Sequence, residues 1–198
     1  MFRLAAFCRV AALVGFVRFV GRVGLVGLVG CVGCNRDPPP SPPPPAPLPL
    51  EWVGIRYGAF PLQLLVPKEW HESARPIDPG PGVLCLGPEE EGFRPNVMLY
   101  WSDKPRDLED YFGDEKSKRK GTIHPQKIMG EGSGVVAGMQ ARYLLYDSYE
   151  PRGDFRTMDW YFVGPRGHGL LRFTTKTRLF LKHQPLFDEM TRRVRVAP

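Results

Sequence analysis

Cysteine is scarce in this 198-residue chain, and three of its four cysteines, Cys8, Cys31 and Cys34, fall before residue 35. Only Cys85 lies in the long remainder, and a single thiol cannot build an internal disulfide framework. Histidine is equally thin. His71, His124, His168 and His183 stand far apart, with no H-x-H or H-x-x-x-H pair, so the expectation is no metal site and no cofactor. Acidic residues are missing from the first thirty positions, which carry Arg3, Arg9, Arg18 and Arg22 among apolar and small side chains. Taking these four from the 27 basic residues leaves 23 against 21 acids, so the formal charge of +6 falls to +2 beyond the leader. That residue of charge is a poor argument for a nucleic-acid partner, and none is expected. A long apolar run is absent from the leader as well, because Arg18 and Arg22 interrupt it and a membrane-spanning helix needs roughly 20 apolar residues.

What the leader does contain is a positive segment ending at Arg22, followed by the eight small or apolar residues VGLVGLVG. That length fits the apolar core of a secretory signal. Two cysteines then stand three apart, Cys31 and Cys34, ahead of a proline tract. A dithiol redox site opens a helix, and prolines cannot continue one. A structural zinc needs about four ligands, and neither a second C-x-x-C nor a nearby histidine is present. Haem attachment requires a histidine where this chain has Asn35. Leu28-Val29-Gly30-Cys31 instead resembles the bacterial lipobox. The resemblance implies that a diacylglyceryl group joins the Cys31 sulfur, with cleavage before Cys31 and acylation of the new amino terminus. The departure is an unusually long positive segment, and the competing reading is an uncleaved N-terminal anchor.

Nine of the twelve residues from Pro38 to Pro49 are proline. Such a run adopts polyproline II at about 3.1 Å per residue and spans on the order of 35–40 Å. The organisation expected is therefore a signal peptide over 1–30, a lipidated cysteine and proline-rich linker over 31–50, and a folded domain over 51–198. A domain of about 150 residues buries roughly 68–70% of its unfolded surface and needs no covalent staple.

Within that domain, PLQLLVP, GVLCLG and NVMLYWS read as strands bounded by turn residues. PRDLEDYFGDEKSKRKG reads as a helix, with Asp107 as N-cap and Leu108, Tyr111 and Phe112 as its apolar stripe. GMQARYLLYDSYE, DFRTMDWYFVG and HGLLRFTTKT follow as three strands joined by short links, an antiparallel meander. A last helix over QPLFDEMTRRV has Pro185 in its first turn and Leu186, Phe187, Met190 and Val194 on one side. The fold class is α+β, an antiparallel sheet packed by helices.

The order of these elements resembles PsbP-like domains. FPLQLLVPKEW is similar to their opening strand and P-x-x-W turn, VVAGMQARYLLY to their glycine and long central strand, and FLKHQPLFDEMTRRV to their closing helix. The resemblance implies an α/β/α sandwich in a family of mostly binding or scaffold proteins, many of them bacterial lipoproteins. It supplies no catalytic residues to carry over.

Cys85 in VLCLG reads as a small buried hydrophobe before it reads as a nucleophile. The glycine-rich GEGSGVVAG lacks the Lys-Ser/Thr of a phosphate loop and reads as a turn leading into a strand. The basic run KSKRKG reads as a solvated helix end that suits the helix dipole. Strand alternation places Arg142, Tyr146, Asp159, Tyr161, Arg172 and Lys176 opposite the aromatic core. That face holds either cross-strand ion pairs beneath a covering helix or an open surface for a small ligand or protein. The function expected is a non-enzymatic binding or accessory module of the cell envelope, lipid-anchored on the extracytoplasmic side of a bacterial membrane. Its partners would be the membrane, through the lipid, and an envelope protein or small ligand. The rival is an envelope hydrolase or other enzyme with a site built from dispersed residues.

Changing Cys31→Ser is expected to abolish labelling by a fatty-acid analogue and to block processing, while Cys34→Ser leaves both intact. Undiminished labelling of the Cys31→Ser variant refutes the attachment point.

Overall fold

The computed structural model describes residues 50–56, 61–73, 82–120 and 126–197. The expected signal peptide, Cys31, Cys34, the proline tract and His124 lie outside the described residues. The elements are, in chain order, β1 (Trp52–Ile55), β2 (Leu62–Pro67), β3 (His71–Glu72), β4 (Gly82–Leu86), β5 (Asn96–Ser102), α1 (Leu108–Lys120), β6 (Gln126–Val136), β7 (Met139–Glu150), β8 (Gly153–Gly164), β9 (Gly167–Lys176), α2 (Phe180–Arg193) and β10 (Arg195–Val196). Seven strands form one antiparallel sheet in the order β3-β4-β5-β9-β8-β7-β6, and β1, β2 and β10 form a second of three. The fold class matches the sequence reading, and the meander β6-β7-β8-β9 forms one half of the larger sheet.

Period-two alternation divides this sheet into two faces. One face presents Val83, Cys85, Val97, Leu99, Trp101, Met158, Phe162, Leu171 and Phe173, all buried. Against it pack β2, through Leu62, Leu64 and Val66, and α2, through Phe180, Phe187 and Met190. Phe187 stacks on Phe173 with ring centroids 4.8 Å apart. The other face carries α1, whose Tyr111 and Phe112 meet Leu144, Tyr146, Tyr161 and Leu170 in a smaller core. Asp107 caps α1 as its sequence position requires, its Oδ1 accepting from the Glu109 and Asp110 amides at 2.8 and 3.1 Å. The P-x-x-W turn also forms, with the Trp70 amide donating to the Pro67 carbonyl at 2.9 Å and the indole buried.

Two expectations are corrected. The glycine-rich GEGSGVVAG is not a turn: residues up to Val136 belong to the edge strand β6, and only Ala137 and Gly138, both at positive φ, make the reversal into β7. The glycines serve side-chain packing. A Cβ on Gly132 would stand 2.5 Å from the Tyr143 ring, and one on Gly134 would stand 2.9 Å from the Trp160 ring, so both rings lie across the strand where side chains are missing. Trp160 is consequently half-buried, although its strand partners Met158 and Phe162 are core. The closing helix begins at Phe180, so Pro185 sits inside it instead of in its first turn. Its missing N–H costs one helical hydrogen bond, and the apolar contacts of Phe180 and Phe187 on either side hold the helix in place.

Phe187→Ala is expected to lower stability to chemical denaturation by about 3–5 kcal/mol, as for other fully buried aromatics. Leu181→Ala, on the same helix with Leu181 75% exposed, should change it by no more than about 0.5 kcal/mol. Equal effects from the two would show the packing face of α2 to be misassigned.

Candidate functional site

The polar face of β7, β8 and β9 is organised around one carboxylate. Asp159 on β8 is fully buried. Arg172, its direct cross-strand partner on β9, donates from Nε to Oδ1 at 2.6 Å and from Nη2 to Oδ2 at 2.7 Å. The Tyr161 and Tyr146 hydroxyls donate to Oδ2 at 2.8 and 3.2 Å. The fourth donor, Arg119 Nη2 at 3.2 Å, descends from the last turn of α1. Burial pushes the Asp159 carboxyl up, but the Arg172 guanidinium, then Arg119 and the Tyr161 hydroxyl, outweigh it and hold the group below its ordinary value. Burial and the neighbouring Asp159 charge push both tyrosines far above the usual phenol range, so they remain donors.

The six residues singled out from the sequence therefore share a face, as alternation requires, but that face is not open. Asp159 and Tyr161 are sealed beneath α1. Arg142 reaches up to Glu109 on α1, with Nη1 at 2.8 and 2.6 Å from the two carboxylate oxygens, and its guanidinium lies 4.5 Å from the centre of the Phe112 ring. The reading of ion pairs under a covering helix describes this part of the face. The basic run KSKRKG divides as well. Lys118 pairs with Glu115 and Lys116 with Glu131 at the surface, whereas Arg119 turns inward to Asp159. Sequence reasoning missed Arg119, and its signal was available: it lies eight residues after Tyr111, close to the face that the helix buries.

Beyond the last turn of α1 the same face opens into a cleft of about 500 Å³. Its floor is Tyr146, Thr157, Arg172, Thr174 and Lys176, and Arg119 and Gln126 form one wall. The opposite wall is the loop before β5, through Gly92 and Phe93, and the Phe93 ring packs on Phe155 at 4.8 Å between centroids. Thr157 and Thr174 face each other across the strands with hydroxyls 3.2 Å apart. Lys176 donates to the Glu91 carbonyl oxygen, which ties the loop wall to β9. Thus Tyr146, Arg172 and Lys176 line the cleft, Asp159 supports it from beneath, and Arg142 and Tyr161 take no part in it.

Among the described residues the cysteine and histidine side chains lie outside the cleft. Cys85 is fully buried, and burial together with the Glu72 charge pushes its thiol up to about 12, which leaves it inert as a nucleophile. His168 Nδ1 bonds the Lys104 backbone carbonyl at 2.6 Å, and His183 Nε2 lies 3.1 Å from Glu90. His71 stands 3.3 Å from Arg94. Among the described residues no three His, Cys, Asp or Glu side chains gather as a metal site would require. None of their helices is long and apolar enough to cross a membrane.

No protein-family model matches the chain, and no curated protein matches it in sequence. Solved structures do share its fold. PA94 of Pseudomonas aeruginosa, a protein of unknown function, superposes with a TM-score of 0.54 at 12% identity, over 75% of this chain and 99% of its own. LpqN, involved in cell envelope biogenesis of Mycobacterium tuberculosis, gives 0.56 at 12% identity, over 75% and 92%. The cyanobacterial PsbP of Synechocystis sp. PCC 6803 gives 0.50 at 14% identity, over 69% and 87%. The domain has the PsbP-like α+β fold.

Asp159→Asn is expected to cost about 3–5 kcal/mol, because it leaves Arg172 and Arg119 short of a charge partner in a buried setting. Since the folded carboxyl lies below its ordinary value, its contribution is fully present above 3.8. That contribution is lost as pH falls below this value through the folded one. Unfolding curves between pH 7 and pH 3 should therefore show an acid limb in the parent that is flatter in the variant. Parallel limbs would remove Asp159 from the linkage.

Proposed function

We propose that the chain is a lipid-anchored envelope protein whose PsbP-like domain binds a ligand or partner without transforming it. The observation that carries this reading is the composition of the cleft. Among the described residues its lining is guanidinium, ammonium, hydroxyl and amide around an aromatic pair, with one carboxylate, Glu150, exposed at the rim, and neither a histidine nor a cysteine is among them. A hydrolytic site needs a nucleophile within hydrogen-bond reach of a base of tuned pKa. Here the hydroxyls of Thr157 and Thr174 meet each other, and the buried carboxylate beneath is fully engaged as an acceptor. A pocket of this size lies within the roughly 300–1,000 Å³ common for small-molecule sites.

The leader and linker support the envelope part of the reading. A lipid on Cys31 and a polyproline spacer would hold the domain away from the bilayer, on the extracytoplasmic side, with the cleft free to meet a soluble or protein-borne group. The structural likeness to LpqN, which is involved in cell envelope biogenesis, agrees with that location.

The test is chemical cross-linking of the full chain in membranes, with Lys176→Glu compared against Arg192→Glu. Lys176→Glu is expected to lose the cross-linked product at unchanged folding, because Lys176 lines the cleft near the surface. Arg192→Glu should retain the product, since Arg192 is exposed on α2, outside the cleft. Turnover of ester, amide or glycoside substrates by the purified chain, abolished by one replacement in the cleft, would replace this reading with the envelope hydrolase.

A further inference from the structure

Building on the binding reading, we infer that the cleft takes a small amphiphile with a single oxyanionic head, a carboxylate or a phosphate monoester, the head against Arg172 and Lys176 and the apolar end against Phe93 and Phe155.

The charge balance of the floor selects the sign. Two guanidiniums, those of Arg172 and Arg119, converge on the single charge of Asp159. Glu115, 3.8 Å from Arg119, also answers Lys118 at 2.5 Å. Among the described residues the cluster thus carries more positive than negative charge, and Glu150 and Arg152 at the cleft rim offset each other. Lys176 adds another, and the acceptor it meets is a neutral backbone carbonyl. The negative end of the α1 dipole faces three cations in its own last turn, Lys118, Arg119 and Lys120, so it does not cancel the field of the floor.

The remaining lining selects the rest of the ligand. Arg172 spends Nε and Nη2 on Asp159 and keeps Nη1, with its side chain 25% exposed toward the cleft. A guanidinium already fixed by a buried carboxylate is a pre-oriented donor, which lowers the ordering cost of binding. The Thr157 and Thr174 hydroxyls beside it can each rotate to donate to an oxyanion. Phe155 is 7% exposed and packs against Phe93 on the loop wall with the rings tilted by 47°, a surface suited to an alkyl or aryl group. The fully buried parts of the site are rigid strand, whereas the wall bearing Phe93 is a loop tied down through Glu91 to Lys176 and Arg178. The cleft is therefore formed before the ligand arrives.

The experiment uses the full chain in phosphatidylcholine nanodiscs, titrated calorimetrically at low salt with octyl phosphate, octanoate, inorganic phosphate and the neutral octyl glucoside. Octyl phosphate and octanoate are expected to saturate one site, with inorganic phosphate weaker by tenfold or more and octyl glucoside silent. Lys176→Ala should weaken octyl phosphate about tenfold, as for one lost charge-assisted contact. Phe93→Ala should weaken octyl phosphate but not inorganic phosphate. Arg142→Ala should change neither. Discs doped with phosphatidic acid, whose headgroup is a phosphate monoester, separate two sources of the same chemistry. Weaker apparent affinity in them assigns a lipid headgroup, and unchanged affinity assigns a soluble oxyanion. Octyl glucoside binding as tightly as octyl phosphate, or a Lys176→Ala variant of parental affinity, overturns the inference. No saturable oxyanion site beside a retained Lys176-dependent cross-link overturns it while leaving the binding module standing. Turnover of cleft substrates overturns the module itself.

Discussion

A carboxylate with no contact to solvent can remain ionised only if the protein supplies the donors that water would have supplied. Asp159 receives them from four elements: Arg172 on β9, Tyr161 on β8 itself, Tyr146 on β7 and Arg119 on α1. The helix is positioned by this arrangement as well as by its apolar face. Of its 13 residues only Tyr111 and Phe112 are buried hydrophobics, and each contributes on the order of 1.5–3 kcal/mol. Arg119 and the Arg142–Glu109 pair fasten the two ends of α1 to the sheet. The same cluster forms the back of the cleft, so that the placement of the helix and the charge of the site have one cause.

The opposite face is held by different means. There β2 and α2 cover the sheet with aliphatic and aromatic contacts, Phe173 on Phe187 at their centre. The partly buried pair Arg156–Asp147, joined at 2.6 and 2.8 Å, lies at the edge of that core, with the guanidinium 5.6 Å from the centre of the Phe180 ring. One sheet thus separates an apolar core that supplies most of the stability from a polar core that positions a helix and opens a cleft. A PsbP-like fold does not carry a function with it, and the two faces explain how it can be adapted. Changes on the polar face alter charge and shape while the apolar face preserves the scaffold.

The loop between β4 and β5 connects the two sides. Glu90 takes Lys182 at 2.5 Å and His183 at 3.1 Å from α2. Glu91 takes Arg178, and its carbonyl accepts from Lys176. Glu91 and Gly92 both have positive φ, a tight reversal that brings Phe93 back to pair with Glu90 and sets its ring against Phe155. The wall of the cleft is therefore anchored to the helix on the far side of the sheet.

The strands β5, β7, β8 and β9 were legible because alternation in the sequence is a direct image of the pleat, and one buried face fixes which residues face inward. Asp107 as a cap and the P-x-x-W turn were legible because each is a local hydrogen bond between residues two or three apart. The edge strand β6 was not, since its glycines match a turn by composition, and only the rings of Tyr143 and Trp160, contributed by other strands, give those glycines their purpose. Alternation likewise placed Arg142, Tyr146, Asp159, Tyr161, Arg172 and Lys176 on one face. It could not say where α1 would lie across them, because a helix position is set by contacts distant in sequence, here Arg119 to Asp159, 40 residues apart. The amino-acid sequence by itself determined the fold class, the meander and the polarity of each strand face, all consequences of short-range periodicity. The tertiary structure alone decided which half of the polar face is sealed and which half is a cleft, because that depends on where charges from separate elements converge.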